Sequence, residues 1–162
     1  MEKSGLRVVL DCNVFVHALA NGEGASAKIL GLVEEDVVTL FVCDAILREI
    51  QDVLSRPTLR QLMPSITDEL VGALLIRLNR KAVHIKNIPE EFRFERDPKD
   101  EVYVNLAIVT GSRYLITSDK DLLDLSSATA AGSPSFQVRY PMLKILRAQD
   151  FLAEIAPLLS SQ

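Results

Sequence analysis

The chain has 162 residues, of which 48% are hydrophobic and 25% are charged, and its formal net charge is −4. These values are ordinary for a globular protein, and the length favours a single domain over residues 1–162. No apolar run approaches the roughly 20 residues of a membrane helix, and the acidic balance argues against a protein that simply coats nucleic acid. The opening residues 1–5 do not resemble a signal peptide, so we expect a cytoplasmic location.

The first third of the chain alternates apolar runs with amphipathic stretches. Residues 6–10 and 38–43 are short, valine-rich runs that predict strands buried on both faces. Apolar residues at helical spacing predict helices over residues 25–37 and 45–54, with Asp44 as the N-cap of the second. We therefore expect the first clear helix only from residue 25 onward.

The remaining elements follow the same alternation. Pro57 is expected to end the helix before it, and Thr67 to cap the next one. Further strands and helices are predicted, with Gly111 as a helix C-cap; they cover residues 82–85, 100–110, 114–117, 120–125, 143–146 and 149–159. Residues 87–99 form a polar loop, and residues 126–135 are the best candidate for a mobile loop.

Strands that alternate with helices predict an α/β fold. We expect a three-layer α/β/α sandwich with a mostly parallel central sheet and right-handed crossovers. The carboxyl ends of parallel strands lie at one edge of such a sheet, and this edge is where ligands bind.

Four carboxylates occupy positions near that edge. Three of them lie within a residue or two of a strand end or a helix start, and the fourth lies within the helix after the second strand; they are Asp11, Glu49, Asp100 and Asp119. Four converging acids repel one another unless a cation lies between them. Hard divalent ions such as Mg²⁺ or Mn²⁺ bind carboxylates and waters in this way. The pattern favours a metal-dependent phosphoryl-transfer site, most simply that of a nuclease.

Each acid also has an ordinary structural interpretation. Asp11, Asp100 and Asp119 are placed to cap helices, and Glu49 alone is typical of a solvated helix face. Against capping by Asp11, two apolar residues follow it almost at once, before any clear helix. Together the four ordinary interpretations require four coincidences at one edge of one sheet, so we prefer the metal site.

Other common chemistries find little support. Cys12 and Cys43 form no C-x-x-C pair and are expected to be small buried residues with free thiols. The only histidines, His17 and His84, are too sparse for a zinc site or a Cys-His nucleophile. No Gly-rich phosphate-binding motif occurs. Basic residues cluster in three places and are either phosphate contacts or solvated helix faces: Arg48, Arg56 and Arg60; Arg77, Arg80 and Lys81; Arg93, Arg96 and Lys99.

Several motifs, spread over nearly the whole chain, resemble the PIN domain family of metal-dependent ribonucleases, which includes the VapC-like toxins. The run Val8-Val9-Leu10-Asp11-Cys12-Asn13 is similar to the family's first-strand signature, hydrophobic residues followed by Asp-x-Asn. The other matching stretches are Leu47-Arg48-Glu49-Ile50, Arg96-Asp97-Pro98-Lys99-Asp100 with Leu106-Ala107, residues 114–122, Ile145-Leu146 and Phe151-Leu152. The chain is most similar to the branch of PIN-type toxin components.

The resemblance implies a site, a cofactor and partners. It assigns metal binding and catalysis to Asp11, Glu49, Asp100 and Asp119, with Mg²⁺ or Mn²⁺ as the cofactor. It places Asn13, Thr117, Ser118 and Asp121 at supporting positions, and Asp97 at a variable acidic neighbour that shapes the loop. It further implies an RNA substrate cut to 5′-phosphate and 3′-hydroxyl products, an antitoxin partner and a homodimer. Residues 126–135 are longer than is usual for the family.

Three alternative functions share part of this pattern. The first is a catalytically silent PIN-like module that binds RNA or a protein. The second is a receiver-like signalling domain, which fits poorly because that class needs paired acids after its first strand, whereas Asp11-Cys12-Asn13 has one. The third is a phosphatase of the Asp-x-Asp type, and Asn13 in place of its second aspartate counts against it.

Overall fold

The strands form one five-stranded sheet in the computed structural model, which describes residues 5–127 and 134–160. All four strand pairings are parallel, in the order β3-β2-β1-β4-β5. The strands are β1 (Arg7–Leu10), β2 (Thr39–Val42), β3 (Val83–His84), β4 (Tyr114–Ile116) and β5 (Lys144–Leu146). The predicted α/β fold with a parallel sheet is confirmed.

The helices fill the connections between the strands. They are α1 (Cys12–Ala20), α2 (Ala25–Glu34), α3 (Asp44–Leu54), α4 (Pro57–Leu62), α5 (Asp68–Lys81), α6 (Glu101–Thr110), α7 (Lys120–Leu125), α8 (Pro134–Arg139) and α9 (Ala148–Ser160). A single 3-10 turn, Pro98–Asp100, leads into α6. Among the described residues, none of these helices has the length and apolar character needed to cross a membrane.

The strand order reverses between β1 and β4. The chain moves from β1 outward to β2 and β3, then returns to the other side of β1 for β4 and β5. Right-handed crossovers then place the helices that precede β3 on one face of the sheet and those between β3 and β5 on the other. In open parallel sheets the crevice at such a reversal is the usual ligand site, so the topology points to the ends of β1 and β4.

The core is built on the central strands. Residues 8–10 of β1 and Leu115 and Ile116 of β4 are essentially inaccessible to solvent. Helix α9 packs against β4 and α2, and the rings of Tyr114 and Phe151 meet edge to face at 4.9 Å between centroids. The two cysteines are buried and free, as predicted. This rigid centre holds the strand ends that carry Asp11 and Thr117.

Three local predictions are wrong. The first helix begins at Cys12 rather than near residue 25; the sequence does not reveal it because Val14, Phe15 and Val16 are consecutive apolar residues, all buried, as in a buried strand. Pro57 does not simply stop α3, which ends at Leu54, but starts α4 at a position where its missing N–H is not needed. The cap of α3 is Cys43, with Asp44 already inside the helix.

Other local predictions are confirmed. The Thr67 side chain accepts a hydrogen bond from the Leu70 amide and caps α5. Gly111 ends α6 with a φ of +63°, a left-handed conformation that favours glycine. The predicted loop covers residues 126–135, of which residues 128–133 lie outside the described residues. Helix α8, which begins at Pro134, is not predicted by the sequence.

Candidate active site

Asp11 follows β1 and is almost completely buried, with 4% of its surface exposed. Its Oδ2 accepts a 2.7 Å hydrogen bond from the Thr117 hydroxyl, which follows the neighbouring strand β4. Although Asp11 stands at the N-cap position of α1, its side chain makes no capping hydrogen bond. Its carboxylate is therefore held for some purpose other than capping that helix.

Asp119 is fixed on two sides. Its backbone amide donates to Oγ1 of Thr117 at 2.9 Å, and its Oδ1 accepts from the Asp121 amide at 2.9 Å, which caps α7. The capping interpretation is therefore correct for Asp119. This cap uses only Oδ1 of Asp119. The side chain is therefore also able to contribute to a cluster of acids.

That cluster consists of Asp97, Asp100 and Asp119. Each offers a carboxylate oxygen, and these three oxygens lie within 4.8 Å of one another. The 3-10 turn brings the first two together, since the Asp100 amide donates to the Asp97 carbonyl at 3.0 Å. Asp100 is 8% exposed, and its buried Oδ2 has no hydrogen-bond partner among the described residues. A buried, unpaired carboxylate oxygen is costly unless a ligand satisfies it.

The electrostatics of these acids favour the neutral forms when no cation is present. Burial, above all, raises the pKa of Asp11 to about 6, although the hydrogen bond from Thr117 opposes the rise. Burial also raises the pKa of Asp100 to about 9, with further contributions from its contact with the Asp119 carboxylate and from the charges of Asp11 and Asp97. A bound cation would reverse both effects, because opposite charge favours the ionised form.

The acids share one open cleft of about 640 Å³. Its acidic wall is formed by six residues: Asp11, Glu49, Asp52, Asp97, Asp100 and Asp119. All four predicted acids thus line it, but Asp11 and Glu49 stand outside the tight cluster, and Asp97 takes part in it. Basic side chains line it as well, from Arg48, Arg56 and Lys99.

The predicted supporting residues divide into three groups. Asn13 is exposed and lines the acidic cleft, and Thr117 lies beneath it as the donor to Asp11. Ser118 lines a second, neighbouring cavity instead. Asp121 lines neither, and its side chain pairs with Arg96, the residue directly before Asp97.

Two residues of this region escaped the sequence analysis. Asp52 lies one helical turn after Glu49 on α3, and the i, i+3 spacing is the signal that places both on one face. The fully buried Tyr103 lies one turn after Asp100 on α6. Burial raises its pKa, and so do the nearby charges of Asp11 and Glu49; its hydroxyl is buried without a hydrogen-bond partner among the described residues.

Side chains of α6 hold the loop that carries Asp97. Asn105 clamps Phe92 through both backbone groups, accepting from its amide at 2.8 Å and donating to its carbonyl at 3.0 Å. Glu101 accepts from the Phe94 amide at 2.9 Å. The approach to Asp97 is therefore attached to the same helix that Asp100 begins.

Comparison with known proteins decides the family. A family model described as the PIN domain matches residues 7–121. The chain belongs to the PIN domain family. The matched region of this PIN domain includes every acid of the cleft, whereas β5 and α9 lie beyond it. The resemblance inferred from the motifs is confirmed.

Two similar proteins support the assignment at the level of sequence and fold. An uncharacterized protein of Methanocaldococcus jannaschii is 29% identical over 160 residues, which cover 99% of this PIN domain chain and 98% of that protein. A chain in the crystal structure of VapBC2 from Rickettsia felis, bound to a DNA fragment from their promoter, superposes with a TM-score of 0.50. That match is 16% identical and covers 87% of this chain and 98% of the other.

Proposed function

We propose that this PIN domain is a metal-dependent endoribonuclease that hydrolyses RNA phosphodiester bonds, and that it is the toxin component of a toxin–antitoxin pair. The observation that carries the nuclease proposal is the cluster of Asp97, Asp100 and Asp119, whose carboxylate oxygens lie within 4.8 Å of one another. Family membership supports it, because the matched region contains these acids.

The residues present suit a hard divalent cation. The donors are all carboxylate oxygens, which Mg²⁺ and Mn²⁺ prefer, and the buried Oδ2 of Asp100 lacks a partner among the described residues. Asp97, Asp100 and Asp119 would hold the ion, with Asp11 and Glu49 in the same cleft for its waters or for a second ion. When bound, such an ion supplies Lewis-acid activation of water and of the phosphoryl group.

The chain itself supplies positioning, charge and proton transfer. Arg48 and Lys99, on the rim of the cleft, attract the RNA phosphates to an otherwise acidic surface. Asp119, held by Thr117 and by the Asp121 amide, is placed to take the proton of the attacking water. The water oxygen bonds to phosphorus, the bond to the 3′ oxygen breaks, and that oxygen takes up a proton from solvent as it leaves. The products are a 5′-phosphate and a 3′-hydroxyl.

The test is cleavage of a fluorescent single-stranded RNA in the presence of Mn²⁺, Mg²⁺ or EDTA. We expect cleavage with either metal, none with EDTA, and a loss of at least about a hundredfold in Asp100→Asn, which replaces a charged ligand with a neutral amide. The matched control is Asp68→Asn, an equal change at a carboxylate that is 93% exposed and does not line the cleft; it should retain full activity.

Two results would reject the proposal. Full activity in Asp100→Asn would show that another site, or a contaminant, cleaves the RNA. No cleavage, together with a melting temperature that does not respond to Mn²⁺, would favour the silent RNA- or protein-binding module instead.

The toxin part of the proposal is supported by the fold shared with a chain of VapBC2. An antitoxin partner would cover the acidic cleft and block access of RNA. Expression of the wild-type chain should arrest bacterial growth, and expression of Asp100→Asn should not. Equal growth of the two strains at equal protein levels would remove the toxin role and leave the nuclease proposal standing.

A further inference from the structure

A second cavity, of about 410 Å³, opens beside the acidic cleft at the same edge of the sheet. It lies between α1, the start of α2, the end of β4 and the start of α9, and its lining includes His17, Ser26, Thr117, Ser118 and Arg147. The two depressions share a wall, because the Thr117 hydroxyl on this side bonds to Asp11 on the other. Ser118 lines this cavity, and the next residue, Asp119, lines the acidic cleft.

The cavity is built for an anion, in contrast to its neighbour. Helix α2, of ten residues, opens toward it with Gly24 at the N-cap, so no side chain caps the first free amides at Ala25 and Ser26. Helix α9 also begins at this cavity, with Ala148. Helix N-termini with free amides attract negative charge. Among the described residues that line the cavity, none carries a carboxylate.

Three side chains add to this field. Ser26 is 7% exposed, lines the cavity, and its hydroxyl makes no hydrogen bond to any described residue. Arg147 also lines the cavity, and within residues 5–127 and 134–160 its guanidinium has no ion-pair partner. His17 contributes an exposed imidazole from α1. The Ser26 hydroxyl, on a buried residue that lines the cavity, and the exposed guanidinium of Arg147 are donors of the kind that a phosphate oxygen accepts from.

We infer that this cavity binds a phosphate of the RNA strand next to the one that is cut, with Arg147, Ser26 and the α2 amides as the donors. The inference rests on the proposed nuclease function, since it gives the substrate a second point of attachment. One strand runs across the shared wall, with the scissile phosphate over the acids and its neighbour over Ser118. The site orients the strand, so Arg147 is a positioning residue and not a catalytic one.

The first test is independent of RNA. Inorganic phosphate is titrated into the ¹⁵N-labelled protein and the amide signals are followed by NMR. We expect saturable shifts of Ala25, Ser26 and Ala27, weakened about tenfold in Arg147→Ala because a charge-assisted hydrogen bond is lost. No shifts at these amides would overturn the anion site itself, whatever the enzyme does to RNA.

The second test asks whether the anion belongs to the RNA strand. Binding of a labelled single-stranded RNA is measured by anisotropy in the uncleavable Asp100→Asn background, with and without Arg147→Ala. We expect about tenfold weaker binding and a salt dependence lower by about 0.7 in its logarithmic slope, the value for one phosphate contact to a single strand. The matched control is Arg113→Ala, the same loss of charge at the opposite end of β4.

The outcomes separate the two proposals. Phosphate shifts without any effect of Arg147→Ala on RNA affinity would overturn the strand-binding role, while metal-dependent cleavage would still support the nuclease. Equal losses in Arg147→Ala and Arg113→Ala would show only a general effect of charge and would also overturn it. Absence of both cleavage and RNA binding would reject the nuclease and, with it, this inference.

Discussion

The hydroxyl of Thr117 donates a 2.7 Å hydrogen bond to Oδ2 of Asp11, although 106 residues separate the two in the chain. The Oγ1 of Thr117 in turn accepts a hydrogen bond from the Asp119 amide at 2.9 Å. One side chain thus links the ends of β1 and β4, the two strands between which the sheet order reverses. The donor fixes the orientation of Asp11 and the start of the segment that carries Asp119.

This relationship predicts the effect of Thr117→Val, which keeps the shape and removes the hydroxyl. Buried Asp11 loses a donor and the Asp119 amide an acceptor, so unfolding should become easier by about 1–3 kcal/mol. Loss of a residue that orients a metal ligand typically lowers the affinity for the metal about 10–100-fold. We expect the Mn²⁺ affinity of Thr117→Val, measured by calorimetry, to fall by that factor. Thr117→Ser retains the hydroxyl and is the control. Equal Mn²⁺ affinity in the valine variant and in the wild type would contradict the role assigned to Thr117.

The raised pKa values of Asp11 and Asp100 predict a pH-dependent stability in EDTA. An acid whose pKa is higher in the folded state binds its proton more tightly there, so its contribution is complete below about 4 and declines as the pH rises. For pKa values of about 6 and about 9, the decline spans roughly pH 4 to 9. Asp100→Asn removes the larger of the two effects. In EDTA, the melting temperature of Asp100→Asn relative to that of the wild type should therefore rise steadily from pH 5 to pH 9.

If the difference in melting temperature between Asp100→Asn and the wild type stayed constant with pH, this account of Asp100 would be contradicted. Mn²⁺ provides the complementary measurement, because a cation favours the ionised carboxylates. Saturating Mn²⁺ should stabilise the wild type more at pH 8 than at pH 5, and should have little effect on Asp100→Asn at either pH.

The sheet could be predicted from sequence because its strands are nearly continuous apolar runs. Each of the five predicted strands coincides with an observed one to within two residues at either end, the valine-rich β1 among them. Helix α1 could not be predicted in this way, because Val14, Phe15 and Val16 are buried together and resemble a strand as much as a helix. Period alone does not separate a short buried helix from a buried strand.

The candidate site was predictable in its residues but not in its grouping. All four acids line one cleft, because Asp11, Asp100 and Asp119 follow a strand or begin a helix at that edge and Glu49 lies inside helix α3, which starts there. Which of them approach one another depends on the 3-10 turn at Pro98 and on the loop before it. That local geometry brings Asp97 into the tight cluster, and sequence spacing carries no information about it.

Asn105 provides a test of how the loop is held. It is 4% exposed and satisfies both backbone groups of Phe92. Asn105→Ala leaves a buried amide and carbonyl unpaired, so we expect a loss of about 2–4 kcal/mol in the free energy of unfolding, measured with urea. Asn79→Ala, at an exposed position on α5, should change it by less than about 0.5 kcal/mol. Equal effects of the two would show that the clamp on Phe92 contributes nothing.

Arg96 has two possible effects on cation binding, through the position of Asp97 and through its own charge. The two effects predict opposite changes in cation affinity when Arg96 is removed. Its guanidinium bonds to Asp121 and to Asp124 on α7, and it directly precedes Asp97. Loss of a positive charge beside a cluster of acids should by itself strengthen cation binding. Loss of the anchor should instead release Asp97 from Asp100 and Asp119 and weaken binding.

We expect the anchor to dominate, with Mn²⁺ affinity in Arg96→Ala reduced about tenfold, as for other partners that orient metal ligands. Arg93→Ala is the matched control, because it removes the same charge from the same loop at an exposed arginine for which the described residues provide no ion pair. That variant should bind Mn²⁺ as tightly as the wild type or slightly more tightly. Calorimetric titration of both variants decides the matter, and tighter binding in Arg96→Ala would mean that charge, rather than the position of Asp97, controls the affinity of the cluster.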